Sequence, residues 1–168
     1  MSIQVLNYIK KINSKNTGWK NFNMVISGDG TNNQNPSKGS VPIADVASYR
    51  FIGDSMEIFY SFRNGGLAGS AGSGNYIFGF PNGIFADQSK LTVGVNNTVG
   101  EAYILNNSAT DLVANGRVVV VGHSGVMIEY HGAITPSYVG AGVQPLSLTS
   151  IRYYFHAVVP VFGYSSYI

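Results

Sequence analysis

The stretch closest to a catalytic motif is VVVVGHSGV at 118–126, in which a Gly-His pair precedes Ser124. A nucleophilic serine in G-x-S-x-G needs a second glycine two positions later and then a helix. Here the glycine comes one position early, at Gly125, and the residues that follow alternate like a strand. No aspartate follows Asp111 to complete the usual Ser–Asp–His order. The stretch therefore predicts a hairpin turn in which Gly125 takes a positive φ, and an esterase reaction at Ser124 stays open as an alternative.

The sequence contains no pattern typical of metal binding or of acid–base catalysis. The three histidines have neither H-x-H nor H-E-x-x-H spacing, and the chain has no cysteine. DGTNN at 29–33 has some calcium-loop character but only one carboxylate. The eight acidic residues form no pair whose spacing indicates glycoside hydrolysis. We predict no catalytic residue, no cofactor and no bound metal.

The glycine-rich segment NGGLAGSAGSGNY at 64–76 could in principle cradle a phosphate. A phosphate loop requires a lysine after its last glycine, but no lysine occurs between Lys38 and Lys90. A dinucleotide loop requires a helix after the glycines, whereas the pattern here continues as a strand. The segment therefore predicts a flexible or close-packed connection between strands, with small residues that would let neighbouring subunits approach.

The elements that surround these segments are predicted to be strands. Short apolar or alternating runs are separated by turn residues about every ten positions, and no helical patterns alternate with them. This spacing predicts an all-β fold, an antiparallel, jelly-roll-like β-sandwich with a short N-terminal arm. The predicted strands cover residues 19–27, 46–52, 54–64, 76–80, 91–95, 99–106, 116–123, 125–131 and 150–164.

Composition narrows the classes of function. Only 11% of the residues are charged, about half the usual share, and the formal net charge is +2. The lysines near the N-terminus form no basic stripe interleaved with aromatics, so we expect no nucleic-acid partner. No apolar stretch approaches the roughly 20 residues of a membrane span, so no membrane insertion is expected. The lack of cysteine favours assembly in a reducing cytoplasm.

Residues 1–18 are predicted to form an N-terminal arm and residues 19–168 a single β-sandwich domain. Within the arm, VLNYIKKI at 5–12 has apolar residues at helix-compatible spacing. Eight residues are too few for a stable isolated helix, so a helical and an extended arm both remain open.

Several short motifs follow one another along the chain. Their residues are Trp19, Tyr49, Arg50, Gly53, Asp54, Met56, the run 69–74, Tyr76, Phe78, Pro81, Gly83 and 159–161. The order of these motifs resembles head domains at the distal ends of phage and large-virus structural proteins. The likeness covers about residues 17–164, and Phe51 stands where a second arginine would usually follow Arg50. The resemblance implies a compact jelly-roll-like sandwich that forms a homotrimeric fibre, spike or capsid-attached head and carries out no catalysis.

Two main functions follow as expectations. The first is a non-enzymatic viral structural protein, assembled in the host cytoplasm into the virion. Its arm would bind other virion proteins, and its head would bind a host-surface glycan. The second is a stand-alone carbohydrate-binding β-sandwich module. Tyrosine offers a large amphipathic contact surface, so the predicted interface or glycan contacts are Tyr60, Tyr103, Tyr130 and Tyr153.

Overall fold

Alternating apolar and polar residues form ten strands in the computed structural model, which describes residues 16–30, 34–64, 69–91, 97–105, 112–131, 136–142 and 151–162. A single 3₁₀ turn, Gln88–Lys90, is the only helical element in these ranges. The strands are β1 (Lys20–Phe22), β2 (Ile26–Gly28), β3 (Ala44–Ile52), β4 (Ser55–Arg63), β5 (Tyr76–Gly79), β6 (Thr98–Leu105), β7 (Leu112–Val121), β8 (Gly125–His131), β9 (Pro136–Tyr138) and β10 (Arg152–Pro160).

All of these strands pair antiparallel in one sheet, in the order β1-β3-β4-β10-β6-β7-β8-β5-β2, with β9 alongside β8. The sheet curls around its apolar face like a half-barrel. The last strand, β10, lies between β4 and β6 and pairs with β4 along its whole length. The predicted all-β, sandwich-like fold is confirmed.

The core lies on the concave face, where every second side chain of β4 and β10 points inward. Buried aromatic rings from β4, β5 and β10 contact one another there, with centroids between 5.4 and 6.4 Å apart. Burial of this much apolar surface is the main stabilising contribution to such a fold. The aromatic cluster consists of Tyr60, Phe62, Phe78, Tyr153 and Phe155.

Two local predictions need correction. The strand predicted over 19–27 is two strands, because its first half pairs with β3 and its second half with β5, at opposite ends of the sheet order. The predicted hairpin joins β7 and β8, but its positive φ belongs to Gly122, at 57°, because Gly125 already pairs with Val121 in the ladder. The prediction over 91–95 lies outside the described residues except for Leu91.

The glycine-rich segment is close-packed in its described part, residues 69–76, as in the second of the two predicted alternatives. Its described part runs alongside the polar segment 34–39: the amide of Ser37 donates to the carbonyl of Ser70 at 3.1 Å, and the amide of Ser73 donates to Gln34 at 2.8 Å. Backbone hydrogen bonds therefore attach it to a neighbouring loop.

Most of the predicted N-terminal arm, residues 1–15, lies outside the described residues. Its described end contacts the sheet next to β1. The amide of Thr17 donates to the carbonyl of Phe51 at 3.0 Å, and the Thr17 hydroxyl accepts from the Phe51 amide at 2.9 Å.

An aromatic groove on the outer face of the sheet

The outer face of β4, β10 and β6 carries the side chains that alternate with the core residues. Successive side chains of a strand point to opposite faces, so Tyr154 and His156 face outward while their neighbours on β10 are buried. Tyr154 lies directly opposite Tyr103 of β6, and His156 lies between Glu101 of β6 and Phe59 of β4. Three strands that are distant in the sequence therefore bring their aromatic and polar side chains together.

These side chains line a groove of about 390 Å³. That volume lies within the range of about 300–1,000 Å³ that is usual for small-molecule sites. The rings of Phe59 and Tyr154 are in contact, with centroids 6.4 Å apart, and Tyr103 and Tyr154 are 44% and 36% exposed. The outward-facing lining residues are Phe59, Glu101, Tyr103, Leu105, Tyr154 and His156, and the buried core residue Phe155 completes the lining. It combines exposed aromatic rings with a few polar groups.

Glu101 and Tyr103 supply a fixed polar pair in the groove. The Tyr103 hydroxyl donates to Oε2 of Glu101 at 3.0 Å. This hydrogen bond, together with the charge of the Glu101 carboxylate, raises the pKa of Tyr103, because a phenolate beside a carboxylate would be repelled. Tyr103 therefore stays a neutral donor at physiological pH, and its ring stays available for stacking.

Charged side chains hold His156 at one end of the groove. Its Nε2 lies 2.7 Å from Oε1 of Glu57, whose other oxygen accepts from Nε of Arg50. Burial raises the pKa of Glu57, but the hydrogen bonds from Arg50 and His156 outweigh it and bring the pKa below its ordinary value. The Arg50 guanidinium in turn lies 4.8 Å from the centre of the Trp19 ring. This network orients the imidazole that faces the groove.

Of the four predicted contact residues, Tyr103 is the one that lines the groove. The expectation that Tyr60 and Tyr153 are exposed is wrong, because both point into the core and are 0% exposed. The Tyr60 hydroxyl donates a hydrogen bond to Oδ1 of Asp45. Burial strongly raises the pKa of Tyr60. Tyr130 is half-buried and packs against the core from β8.

Sequence reasoning missed Phe59, Tyr154 and His156 as groove residues. The available signal was the alternation in β4: if Met56, Ile58 and Tyr60 face the core, then Phe59 must face outward. An aromatic residue on the polar face of an alternating strand is the pattern that could have identified this surface.

The other candidate centres do not come together. His123 and Ser124 are exposed in the turn between β7 and β8. Nδ1 of His123 lies 3.4 Å from the carbonyl oxygen of Ala86. Within the described ranges, no three His, Asp or Glu side chains are grouped so that they could hold a metal ion. Asp29 accepts hydrogen bonds from the backbone and side-chain amides of Asn75.

Comparison with known proteins gives no match to a protein-family model, a curated protein or a solved structure. The resemblance to virion head domains therefore stays a prediction. Among the residues that the structure describes, no helix has the length and apolar character needed to cross a membrane.

Proposed function

We propose that this chain is a non-enzymatic saccharide-binding β-sandwich that serves as the attachment head of a virion structural protein. The observation that carries the proposal is the groove on β4, β10 and β6, where the exposed rings of Tyr103 and Tyr154 lie beside polar groups of Glu101 and His156. The resemblance of the motif order to virion head domains supplies the viral context.

The chemistry of the groove suits a sugar. One face of a pyranose ring presents C–H groups, which pack against an aromatic ring, while its hydroxyls need hydrogen-bond partners at the edge. Tyr103 and Tyr154 sit opposite each other on neighbouring strands and offer two such rings. The carboxylate of Glu101 accepts hydrogen bonds from hydroxyls, and the imidazole of His156 can donate or accept.

The expected result of removing either exposed ring is a loss of saccharide binding. Tyr103→Ala and Tyr154→Ala should each weaken binding by about tenfold or more, because a central aromatic contact of a binding site is removed. Binding would first be sought on a glycan array and then measured by titration calorimetry. Val41→Ala is the control for loss of an exposed apolar side chain, since Val41 is 60% exposed and does not line the groove.

A blank array with a folded protein, or equal losses in Val41→Ala and the groove variants, would contradict this function. The melting temperature of each variant must stay close to that of the parent chain. This check is needed because Tyr154 contacts Phe59 and Tyr103 bonds to Glu101 within the sheet.

A second property of the proposed head, assembly into a homotrimer, is favoured by an apolar surface at one end of the sheet. Phe85 and Phe162 are 48% and 60% exposed, and the amide of Phe162 donates to the carbonyl of Phe85 at 2.9 Å. The amide of Val161 donates to Asp54, so this surface adjoins the turn between β3 and β4. Adjacent large apolar side chains of this kind mark protein contact sites when they form a patch.

Light scattering of the full chain at micromolar concentration should give three times the chain mass of 18.0 kDa. Substituting both Phe85→Ser and Phe162→Ser should release monomers, because each subunit loses its main apolar contact. A strictly monomeric parent chain would argue against the trimer and would leave the groove proposal standing.

A further inference from the structure

Two arginines face each other at the end of the groove that lies away from His156. Arg63 is the last residue of β4, Arg152 is the first of β10, and the two are direct cross-strand partners. Both occupy outward positions in the alternation of their strands. Arg152 is also paired with Leu105 of β6, which lines the groove. The arginine pair is therefore continuous with the aromatic surface.

The positive charge of this pair is not balanced within the part of the chain that the structure describes. Neither arginine forms an ion pair there, and Nε of Arg152 is buried without a hydrogen-bond partner. The carboxylates of the same outer face are already engaged: Glu57 bonds to Arg50 and His156, and Glu101 to Tyr103. Like charges directly opposite each other in a sheet are destabilising, so an external anion would remove a repulsion.

We propose that Arg63 and Arg152 bind the anionic group, a carboxylate or a sulfate, of an acidic saccharide whose ring stacks in the aromatic groove. The inference rests on the proposed saccharide function and names its ligand class. The guanidinium group matches both anions because its planar fork donates two parallel hydrogen bonds. Arg152 and Tyr154 are two residues apart on β10, about 7 Å along the strand. A substituent of a stacked sugar ring can span that distance.

The distribution of charge also determines how the saccharide is oriented in the groove. Glu101 accepts hydrogen bonds from hydroxyls but repels an anion, and it lies beside His156 at the other end of the groove. The acidic group is therefore directed toward Arg63 and Arg152, while the neutral part of the saccharide lies over Tyr103 and Tyr154. Both ends contribute to selection, one by attraction and one by repulsion.

Three related probes test the inference: lactose, lactose that carries a terminal sialic acid, and lactose that carries a sulfate on galactose. Calorimetric titration of the full chain should give tighter binding of at least one acidic probe than of lactose. Arg63→Gln and Arg152→Gln should each weaken binding of that probe by about 10- to 100-fold, since each removes charged hydrogen bonds to the anion, and should leave lactose binding unchanged. Lys90→Gln is the control, because it removes the same charge at an exposed site that does not line the groove.

The two acidic probes also identify the source of the anion, since preference for one of them assigns a carboxylate or a sulfate. Equal binding of all three probes, unchanged in the arginine variants, would overturn the inference and leave the proposed saccharide function intact. A folded parent chain that binds none of the probes and no saccharide on the array would overturn both. Loss of lactose binding in Arg63→Gln or Arg152→Gln would mean that these arginines maintain the shape of the groove, and it would also overturn the anion site.

Discussion

Replacing Arg117 with methionine is expected to lower the free energy of unfolding by about 3–5 kcal/mol, one of the largest effects of any single substitution in this chain. Its guanidinium holds the carboxylate of Glu129, which is only 2% exposed. Nε of Arg117 donates to Oε1 of Glu129 at 3.1 Å, and Nη2 donates to the same oxygen. Methionine fills similar space but leaves a buried negative charge without its cation.

Replacing the other partner, Glu129, should lower the free energy of unfolding by less than replacing Arg117. The side chain of Arg117 is 29% exposed, so its charge can be hydrated once Glu129 is gone. Glu129→Leu should therefore destabilise less than Arg117→Met. The double variant should lie closer to the parent chain than Arg117→Met alone, because no unpaired charge remains buried.

Urea unfolding of the parent chain, both single variants and the double variant measures these differences directly. Lys90→Met is the control for loss of a cation: Nζ of Lys90 lies 3.5 Å from Asp87 and 3.9 Å from Asp54. The Lys90 side chain is about half exposed, and Asp87 keeps its hydrogen bonds from Ser89, so the expected change is below about 1 kcal/mol. If Arg117→Met behaved like Lys90→Met, or if the double variant were the least stable of the four, the ion pair would not have the role given to it.

The fold class could be predicted from the sequence because alternation is a local property. In β4 the residues Met56, Ile58, Tyr60 and Phe62 share one face, and that face is the buried one. The same alternation was enough to place Tyr60 in the core and Phe59 on the outside. Tyr60 and Tyr153 were predicted as surface contacts because the prediction used residue type alone and ignored which face of the strand each tyrosine occupies.

The groove itself could not be predicted, because local alternation says nothing about which strands are neighbours. Phe59 and Tyr154 come together only because β10 inserts between β4 and β6. The same insertion makes direct partners of Arg63 and Arg152, 89 positions apart in the sequence. A one-residue change of register in β10 would send Tyr154 and Arg152 to the core face. The binding surface is thus specified by long-range pairing, and the inward aromatic residues of β10 fix that pairing.

In the glycine-rich segment, the backbone of a neighbouring loop packs directly against Gly74, where only glycine leaves enough space. Gly74 has a φ of 70°, and a Cβ atom there would lie 2.2 Å from the amide nitrogen and 2.6 Å from the Cα of Gly30. Backbone atoms cannot rotate out of the way as the end of a side chain can. The neighbouring hydrogen bonds between Asn75 and Asp29 hold the two loops at this distance. The segment 69–75 and the first residues after β2, Asp29 and Gly30, therefore behave as one packed unit.

Gly74→Ala should consequently lower the free energy of unfolding by more than about 3 kcal/mol, whereas Gly53→Ala should cost only about 1–2 kcal/mol. Gly53 is a matched control because its φ is 58° and no atom lies within 4 Å of its added Cβ. Both variants carry the same backbone strain, so the difference between their urea unfolding curves isolates the clash with Gly30. Equal losses would mean that the two loops separate at little cost and that only the backbone conformation selects glycine at position 74.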